Sequence, residues 1–390
     1  MRSVSSDGYD MRITSVACSF INDGSRNWPI VQVGTDAGVT GIGEAYPVGP
    51  DKAVAETVRY FEEWLLGFDP FDGERIWHEL YAGSRFPTGS VITSAISGID
   101  QALWDIKGKA LDVPVYQLLG GKVRDRIRVY QSARGGTPEA LGQHAKRLIE
   151  TYGFTALKIS PVAEGRDAEP WARHLDDAEA RMAAVRDAVG DEIDIGVDPH
   201  AKIFEPACAL EMAERIRAYR PMFFEEPVRP EQFEPLAKVA RKSPIPIATG
   251  ECLYTKFEFQ QLLATGAADI IQPDVCVTGG LTEMKKIAAM AEAHYVSVAP
   301  HNPLGPLATA VNVQFAAVAP NFLILEYHVD DSGVRAEVLD DPIRLQDGYA
   351  CIPDRPGLGV ALTEGILEKY PYVAWRRGRP TKADGMLAYI

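Results

Sequence analysis

From Lys158 onward, one polar residue closes each short apolar run. Asp198 follows IDIGV, Glu225 sits in MFFEE, Glu251 follows PIPIATG, Asp274 follows DIIQP, His301 follows VSVAP and Glu326 follows FLIL. These positions recur every 23 to 27 residues. That spacing is what one strand, a loop, a helix and a return loop consume in a parallel βα unit. The rhythm therefore predicts a (β/α) barrel, in which the C-terminal ends of the strands share one site. Groups scattered over more than a hundred positions would then face a single cavity.

Ahead of the barrel, residues 11–45 hold two alternating runs, MRITSVACSF and IVQVGTDAGVTGIGEA, with hairpin-type turn chemistry at TDAG. One helical stretch is predicted over 51–82. A second, over 90–119, has apolar residues at helical spacing and closes on Gly-Gly. Barrel strands begin at 127–133 and 155–160. The gap of 40 residues from Lys158 to Asp198 is longer than the others and leaves the polar stretch PVAEGRDAEPW as an enlarged loop over the site. After Glu326 the rhythm stops, and 331–390 turns acidic, then Pro/Gly-rich, then basic and aromatic. The expected organisation is an α+β capping domain over 1–125, a (β/α)7β barrel over 126–350, and a segment over 351–390 that returns to pack on the capping domain.

Composition removes several classes of function. With 40 Lys and Arg against 54 Asp and Glu, the chain carries a net charge of −14, so nucleic acid and anionic membranes are not expected partners. The five cysteines are dispersed with no CxxC pair, which fits reduced thiols in a cytoplasm. The start, MRSVSSDGYD, is polar, and nowhere do about 18 apolar residues run together. A cytoplasmic enzyme acting on a small molecule is the expectation.

Asp198, Glu225 and Glu251 lie on three consecutive strand ends. Crowded carboxylates raise one another's pKa and cannot all ionise in a partly desolvated site unless a cation neutralises them. An all-oxygen set without Cys or His selects Mg2+ over zinc. Any one of them alone reads as a loop salt bridge or a helix cap; three in register read as metal ligands. Asp274 and His301 occupy the next two strand ends. A carboxylate on one imidazole nitrogen fixes the tautomer and raises basicity at the other, as a general base requires; the alternative is a His that merely satisfies a buried carboxylate. Glu326, if protonated, would donate to an oxyanion, or else it partners a barrel lysine. Lys158, across the mouth, places positive charge on a substrate carboxylate. His200, two residues past Asp198, should share its facing by strand alternation. It reads as a general acid, with a second metal ligand as the alternative.

These residues sit in segments that resemble the enolase superfamily, mandelate racemase subgroup, and within it the galactonate dehydratase-like acid-sugar dehydratases. GVTGIGEA, AISGIDQALWDIKGKALDVPVYQLLGGKVRD, FFEEPV, ATGEC, QPDVCVTGGLTE, APHNPLGPLA and RPGLGV all look like that group, nearly end to end. The superfamily pattern is a Lys or His base with Mg2+ stabilising an enediolate. The resemblance implies Mg2+ on Asp198, Glu225 and Glu251, a base dyad of Asp274 and His301, Lys158 and Glu326 at the enediolate, and His200 as the acid of dehydratases of this kind. Family racemases carry a second lysine where this chain has Ser160, which favours one-way elimination. The sequence departs from the galactonate dehydratase pattern at Cys252, where those relatives have Arg, and in the early loop INDGSRNWP.

The sequence therefore predicts Mg2+-dependent dehydration of a sugar acid, an aldonate of galactonate type, to a 2-keto-3-deoxy acid. The alternatives are cycloisomerisation or ring-opening of a lactone or anhydro sugar acid, and epimerisation. A non-catalytic binder is disfavoured by the intact ligand and base set. INDGSRNWP and SRFPTGS bring Arg26, Trp28, Arg85 and Phe86 into irregular segments, and Arg26 or Arg85 is expected to contact the distal end of the substrate, with solvated loop charges as the alternative. A homo-oligomer is expected from the family resemblance.

Overall fold

The computed structural model describes residues 11–376, 378 and 380–388. The first two runs form an antiparallel sheet of β1 (Ile13–Asn22), β2 (Asn27–Thr35) and β3 (Thr40–Glu44) in that order. Four helices follow: α1 (Asp51–Leu65), α2 (Gly73–Gly83), α3 (Ser90–Leu111) and α4 (Val115–Leu119). Each of the two long helices expected from the sequence is broken. Between α1 and α2, Gly67 at φ 83° and Pro70 take the backbone out of the helical region and remove a donor. Between α3 and α4, Asp112 ends the helix in the left-handed region at φ 56°, and Pro114 disfavours helix at the residue before it. The first break lets α1 and α2 fold back, so that Val54, Val58, Phe61, Ile76, Trp77 and Leu80 join the sheet in one core.

Helix α3 is buried along most of its length. The sheet lies directly on it. A Cβ at Gly41 would fall 2.0 Å from the Ala102 carbonyl oxygen, and one at Gly43 would fall 2.1 Å from that of Gly98. Those two glycines of GVTGIGEA therefore exist for backbone approach.

Eight parallel strands follow: β4 (Arg126–Ser132), β5 (Ala156–Ile159), β6 (Asp194–Val197), β7 (Phe223–Glu225), β8 (Ile247–Thr249), β9 (Ile270–Ile271), β10 (Ser297–Val298) and β11 (Leu325–Glu326). From β4 to β10 neighbours in sequence pair in space, β11 pairs with β4, and a parallel bridge between Val298 and Phe322 completes the circuit. A helix follows each of the first seven: α5 (Pro138–Tyr152), α6 (Trp171–Val189), α7 (Pro206–Ile216), α8 (Phe233–Ala240), α9 (Thr255–Thr265), α10 (Gly280–Ala293) and α11 (Pro306–Val318). The protein is thus a (β/α)7β barrel with an N-terminal α+β cap. Inside the barrel, Tyr130, Phe223, Ile270 and Ile324 pack against Ala156, Ala248 and Ala299, large against small, so the interior is filled rather than a pore.

Beyond β11, a hairpin of β12 (Leu345–Gln346) and β13 (Tyr349–Cys351) adds antiparallel to β4, and α12 (Ile366–Lys369) follows. The chain then returns to the cap. Asn22 N donates to Tyr370 O at 2.9 Å, and Asn27 Nδ2 to Val373 O at 3.0 Å. Further on, Lys382, Asp384 and Ala388 join the loops after β5 and β6 around a cavity of about 460 Å3. No described helix is long and apolar enough to cross a membrane.

Candidate active site

The strand ends deliver the expected groups to one place. Lys158 lies on β5, Asp198 follows β6, Glu225 ends β7 and Glu326 ends β11. Lys158 Nζ stands 3.0 Å from Asp198 Oδ2, 2.8 Å from Glu225 Oε1 and 3.3 Å from Glu326 Oε1. All four are buried. Although Asp198 Oδ2 is that close to the ammonium, neither it nor Glu225 Oε2 has a hydrogen-bond partner among the described residues. A buried carboxylate oxygen without a partner costs several kcal/mol on the order set by polar desolvation, and a cation is the natural remedy.

The charge balance agrees. Burial pushes Glu225 well above the usual carboxylate range, and the charges of Asp198, Glu251 and Glu326 add to it more than Lys158 relieves. Asp198 is also pushed up by burial, but Lys158, His200 and the His200 N–H bring it below its ordinary value. The two carboxylates share one lysine and shift in opposite directions because only Asp198 also has His200. Lys158 is pushed down by burial and then well above its ordinary value by Asp198, Glu225 and Glu326. One ammonium is not enough for this many carboxylates. The residues present therefore fit a hard divalent cation of the Mg2+ type.

Glu251 reaches the group through a tight turn. Gly250 at φ 135° leads into it, and a Cβ there would meet Phe259 at 2.9 Å and Gln272 N at 3.1 Å. Glu251 Oε2 lies 3.4 Å from His301 Nε2. Its other neighbours form a donor set the sequence did not suggest: Glu226, Glu251 and Cys252 offer ligand atoms within 4.8 Å of one another. Glu226 enters because its backbone sits at φ 33°, so it does not alternate away from Glu225 as a strand residue would. Its carboxylate accepts from Thr249 Oγ1 at 2.9 Å, and burial followed by the charge of Glu251 pushes it up to about 8. The EE doublet was the only sequence signal for it.

The dyad is formed. In the neutral tautomer with the proton on Nδ1, His301 donates to Asp274 Oδ2 across 2.8 Å, leaving Nε2 toward Glu251 and, at 3.9 Å, Glu326 Oε2. Asp274 is itself fixed by Cys276 N, which donates to Oδ1 at 2.7 Å. Burial lowers the affinity of His301 for a proton. Glu251, the Asp274 bond and Glu326 outweigh that and push it up to about 10. Tyr46 of the cap stacks on the imidazole with centroids 6.3 Å apart.

Glu326 differs from the sequence expectation. Burial pushes it up, but Lys158, His301, His328 and the Asn302 N–H at 2.9 Å hold it well below the usual range. It is a carboxylate that aims Lys158, so a donor role would require a proton it does not hold. His200 also arrives by another route than strand alternation. β6 ends at Val197, and Asp198 Oδ1 accepts from His200 N at 2.7 Å in an Asx turn, with His200 at φ 54°. Its ring is 56% exposed, with Nε2 3.3 Å from Asp198 Oδ2. Ser160 spends its hydroxyl on Val162 O at 2.8 Å.

The two cap arginines separate. Arg26 sits in the turn between β1 and β2, and its charge reaches the ring of His328, two residues past Glu326. Arg85 is exposed and lies over the Phe86 ring at 5.7 Å; among the described residues it touches none of the constellation. Trp28 is buried in the core beneath Arg335. His328 and Asn302 carried no sequence signal of their own.

Residues 9–120 match the mandelate racemase / muconate lactonizing enzyme N-terminal domain, and 140–366 match the enolase C-terminal domain-like family. A D-galactonate dehydratase of Variovorax paradoxus is 40% identical over 372 residues, covering 93% of this chain and 96% of that one. One from Pectobacterium atrosepticum is similar to the same extent. Among solved structures, an enolase from Agrobacterium radiobacter described as a candidate galactarate dehydratase, with Na and L-malate bound, superposes with a TM-score of 0.93. It is 40% identical and covers 97% of this chain and 100% of its own. With both modules matched and the strand-end constellation in place, the chain belongs to the mandelate racemase / muconate lactonizing enzyme family of the enolase superfamily.

Proposed function

We propose that this protein is a Mg2+-dependent hydro-lyase that dehydrates a sugar acid to a 2-keto-3-deoxy acid. The observation that carries the reading is the pairing of a base dyad with a carboxylate cluster that one lysine cannot neutralise. Named D-galactonate dehydratases at 40% identity support the substrate class. Asp198, Glu225 and Glu251 would hold Mg2+, which when bound supplies divalent positive charge to the substrate carboxylate. His301 Nε2 removes the proton α to that carboxylate while Asp274 holds Nδ1–H. Negative charge then grows on the carboxylate oxygens, and Lys158, kept in place by Glu326, stands where it grows. His200 gives a proton to the departing C3 hydroxyl, water leaves, and the enol tautomerises to the ketone. Ser160 offers no second base on the opposite face, so the reading is elimination rather than racemisation. We carry with it a cytoplasmic location and a homo-oligomeric assembly. The test is a sugar-acid panel assayed for 2-keto acid with Mg2+ present. Turnover of at least one acid, lost in His301→Asn, is expected; release of a lactone-opened or epimerised product without net loss of water would overturn it.

A further inference from the structure

Side chains two apart on a strand share a face, so the inner packing of the barrel fixes which group each strand turns into the site. Ala156, Phe223, Ala299 and Ile324 pack inside the barrel, and two residues after them stand Lys158, Glu225, His301 and Glu326. The same step from Ala248 on β8 reaches Gly250, which has no side chain to offer and leads into Glu251. On β9 the inward residue is Ile270, while Ile271 faces the outer core. The step from Ile270 lands on Gln272, two residues before Asp274. The β9 member of this ring is therefore an amide that the dehydration steps do not use.

Register fixes where the amide lies. Ile271 pairs with Thr249 on β8 and with Val298 on β10. Gln272 N donates to Thr249 O at 2.8 Å, and Ala299 N donates to Ile271 O at 2.9 Å. Gln272 thus stands between Gly250 and Ala299, next to the strand end that leads into Glu251 and to the one that leads into His301. Those two groups approach to 3.4 Å, Glu251 Oε2 to His301 Nε2, so Gln272 lies beneath the place where the carboxylate cluster and the base meet. Gly250 keeps the space beside it open, since a Cβ there would fall 3.1 Å from Gln272 N. Gln272 is 1% exposed, and neither its Oε1 nor its Nε2 has a hydrogen-bond partner among the described residues. A carboxamide has two N–H donors and two acceptor sites, and leaving both polar atoms buried and unpaired is destabilising. A buried group of this kind serves a ligand or an ordered water.

We propose that Gln272 is a further substrate-binding residue, whose carboxamide reads the 2-hydroxycarboxylate head common to sugar acids. The assignment rests on the dehydratase reading above. His301 faces the C2 proton, and the substrate carboxylate faces Lys158 and the metal ligands, so the seam between them holds a carboxylate oxygen and the C2 hydroxyl. Those two groups present an acceptor and a donor side by side. A carboxamide presents a donor and an acceptor at matching places. Nε2 donates to the carboxylate oxygen, and Oε1 accepts from the hydroxyl. The first bond is charge-assisted and strengthens as negative charge grows on the carboxylate. The second ties recognition to C2 and leaves the departing hydroxyl at C3 to His200.

The experiment uses the Mg2+-loaded enzyme, the best sugar acid that wild type turns over, and the 2-deoxy counterpart of that acid. Gln272→Met replaces the amide with an apolar chain of similar length. It should lower kcat/KM for the sugar acid roughly 10- to 100-fold, with losses in both kcat and KM. Dissociation constants are compared in a His301→Asn background, where no turnover intervenes. There the preference for the 2-hydroxy over the 2-deoxy acid should shrink by about tenfold when Gln272→Met is added. The melting temperature of metal-free Gln272→Met should equal or exceed that of wild type, because two unpaired polar atoms are gone, and the rise given by Mg2+ alone should be kept. Gln272→Glu keeps an acceptor but sets a negative charge against the substrate carboxylate, and should bind the sugar acid more weakly than Gln272→Met. An unchanged preference for the 2-hydroxy acid in Gln272→Met overturns the assignment. So do near wild-type kinetics with a lowered melting temperature, which would make Gln272 a packing amide held by an ordered water; either result leaves the dehydratase reading standing. No turnover of any sugar acid by wild type would sink both.

Discussion

The barrel and the cap contribute to the site in different ways. In the barrel, each strand end from β5 to β11 hands over one candidate site group, and the strands are short and buried. In the cap, a set of buried polar residues reaches over to fix the loops on which the candidate site groups ride. Gln101 Nε2 donates to Val275 O at 3.0 Å, Ser97 Oγ accepts from Gly279 N at 2.9 Å, and Asp100 Oδ2 accepts from Thr282 N at 3.0 Å, all along the loop that carries Asp274. Glu44 accepts from Gly305 N at 2.8 Å and Ala308 N at 2.9 Å, just past His301 at the start of α11. The dyad is chemically a barrel device and geometrically a cap device. Changes in the barrel should therefore destroy steps, and changes in the cap should blur them.

The largest effect belongs to His301→Asn. General bases contribute roughly 10²–10⁴ in rate, and both deuterium exchange at C2 and product formation should fall together by at least that much. Exchange that survives in this variant would mean another base.

His200→Asn should fall by a similar factor in elimination only. The proton at C2 can still leave and return through His301, so NMR in D2O should show exchange with retained configuration. Elimination at the wild-type rate would reduce His200 to the ligand role that its 3.3 Å approach to Asp198 also permits.

Next comes the metal, where pH gives the sign. His301 is pushed up to about 10, so at neutral pH it holds a proton that a divalent cation bound beside it must displace, and burial and the neighbouring carboxylates shift Glu225 in the same direction. Apparent Mg2+ affinity should rise as pH climbs toward about 10, the value to which His301 is pushed, with proton release seen by calorimetry in two buffers. The same shift has a stability consequence in chelated protein. The His301 contribution is full below its ordinary 6.5 and is lost as pH rises through about 10. An affinity that is flat across this range would contradict the charge balance described for the cluster.

Glu44→Gln sharpens the comparison from the cap side. It keeps the shape but weakens two bonds to a helix start, at a cost of about 1–3 kcal/mol in stability. A fall of several-fold in kcat with little change in KM is expected, because the base is displaced and the substrate contacts are not. Arg85→Ala should be the smallest change, within about twofold on all substrates, since its partner is Phe86. A larger loss would restore it to the substrate site.

Much of this was legible in the sequence because a parallel barrel repeats one physical unit. Each apolar run had to be buried on both faces, so the first polar residue after it had to lie at the rim, and Asp198, Glu225, Glu251, Asp274, His301 and Glu326 could be read off directly. What escaped lies where the backbone leaves that unit. His200 was read at the site by alternation, whereas an Asx turn places it there, and Glu226, brought in by a positive φ, was not read as a site group. The helix breaks at Gly67 and Asp112 depend on local turn chemistry inside otherwise periodic runs. Arg85 was read from composition alone, which says nothing of direction.

The clasp between Glu44 and α11 joins residues 261 positions apart. A ribosome adding about 5–20 residues per second needs roughly ten seconds to a minute to make that stretch. From the completion of α3 until residues 275–282 are made, the cap shows the world the side of α3 that will later lie against the barrel, with Ser97, Asp100 and Gln101 awaiting partners not yet synthesised. Release of the nascent chain before the seventh βα unit emerges would leave a folded module with a sticky, half-polar face, and this is the stage at which a chaperone would have most to hold.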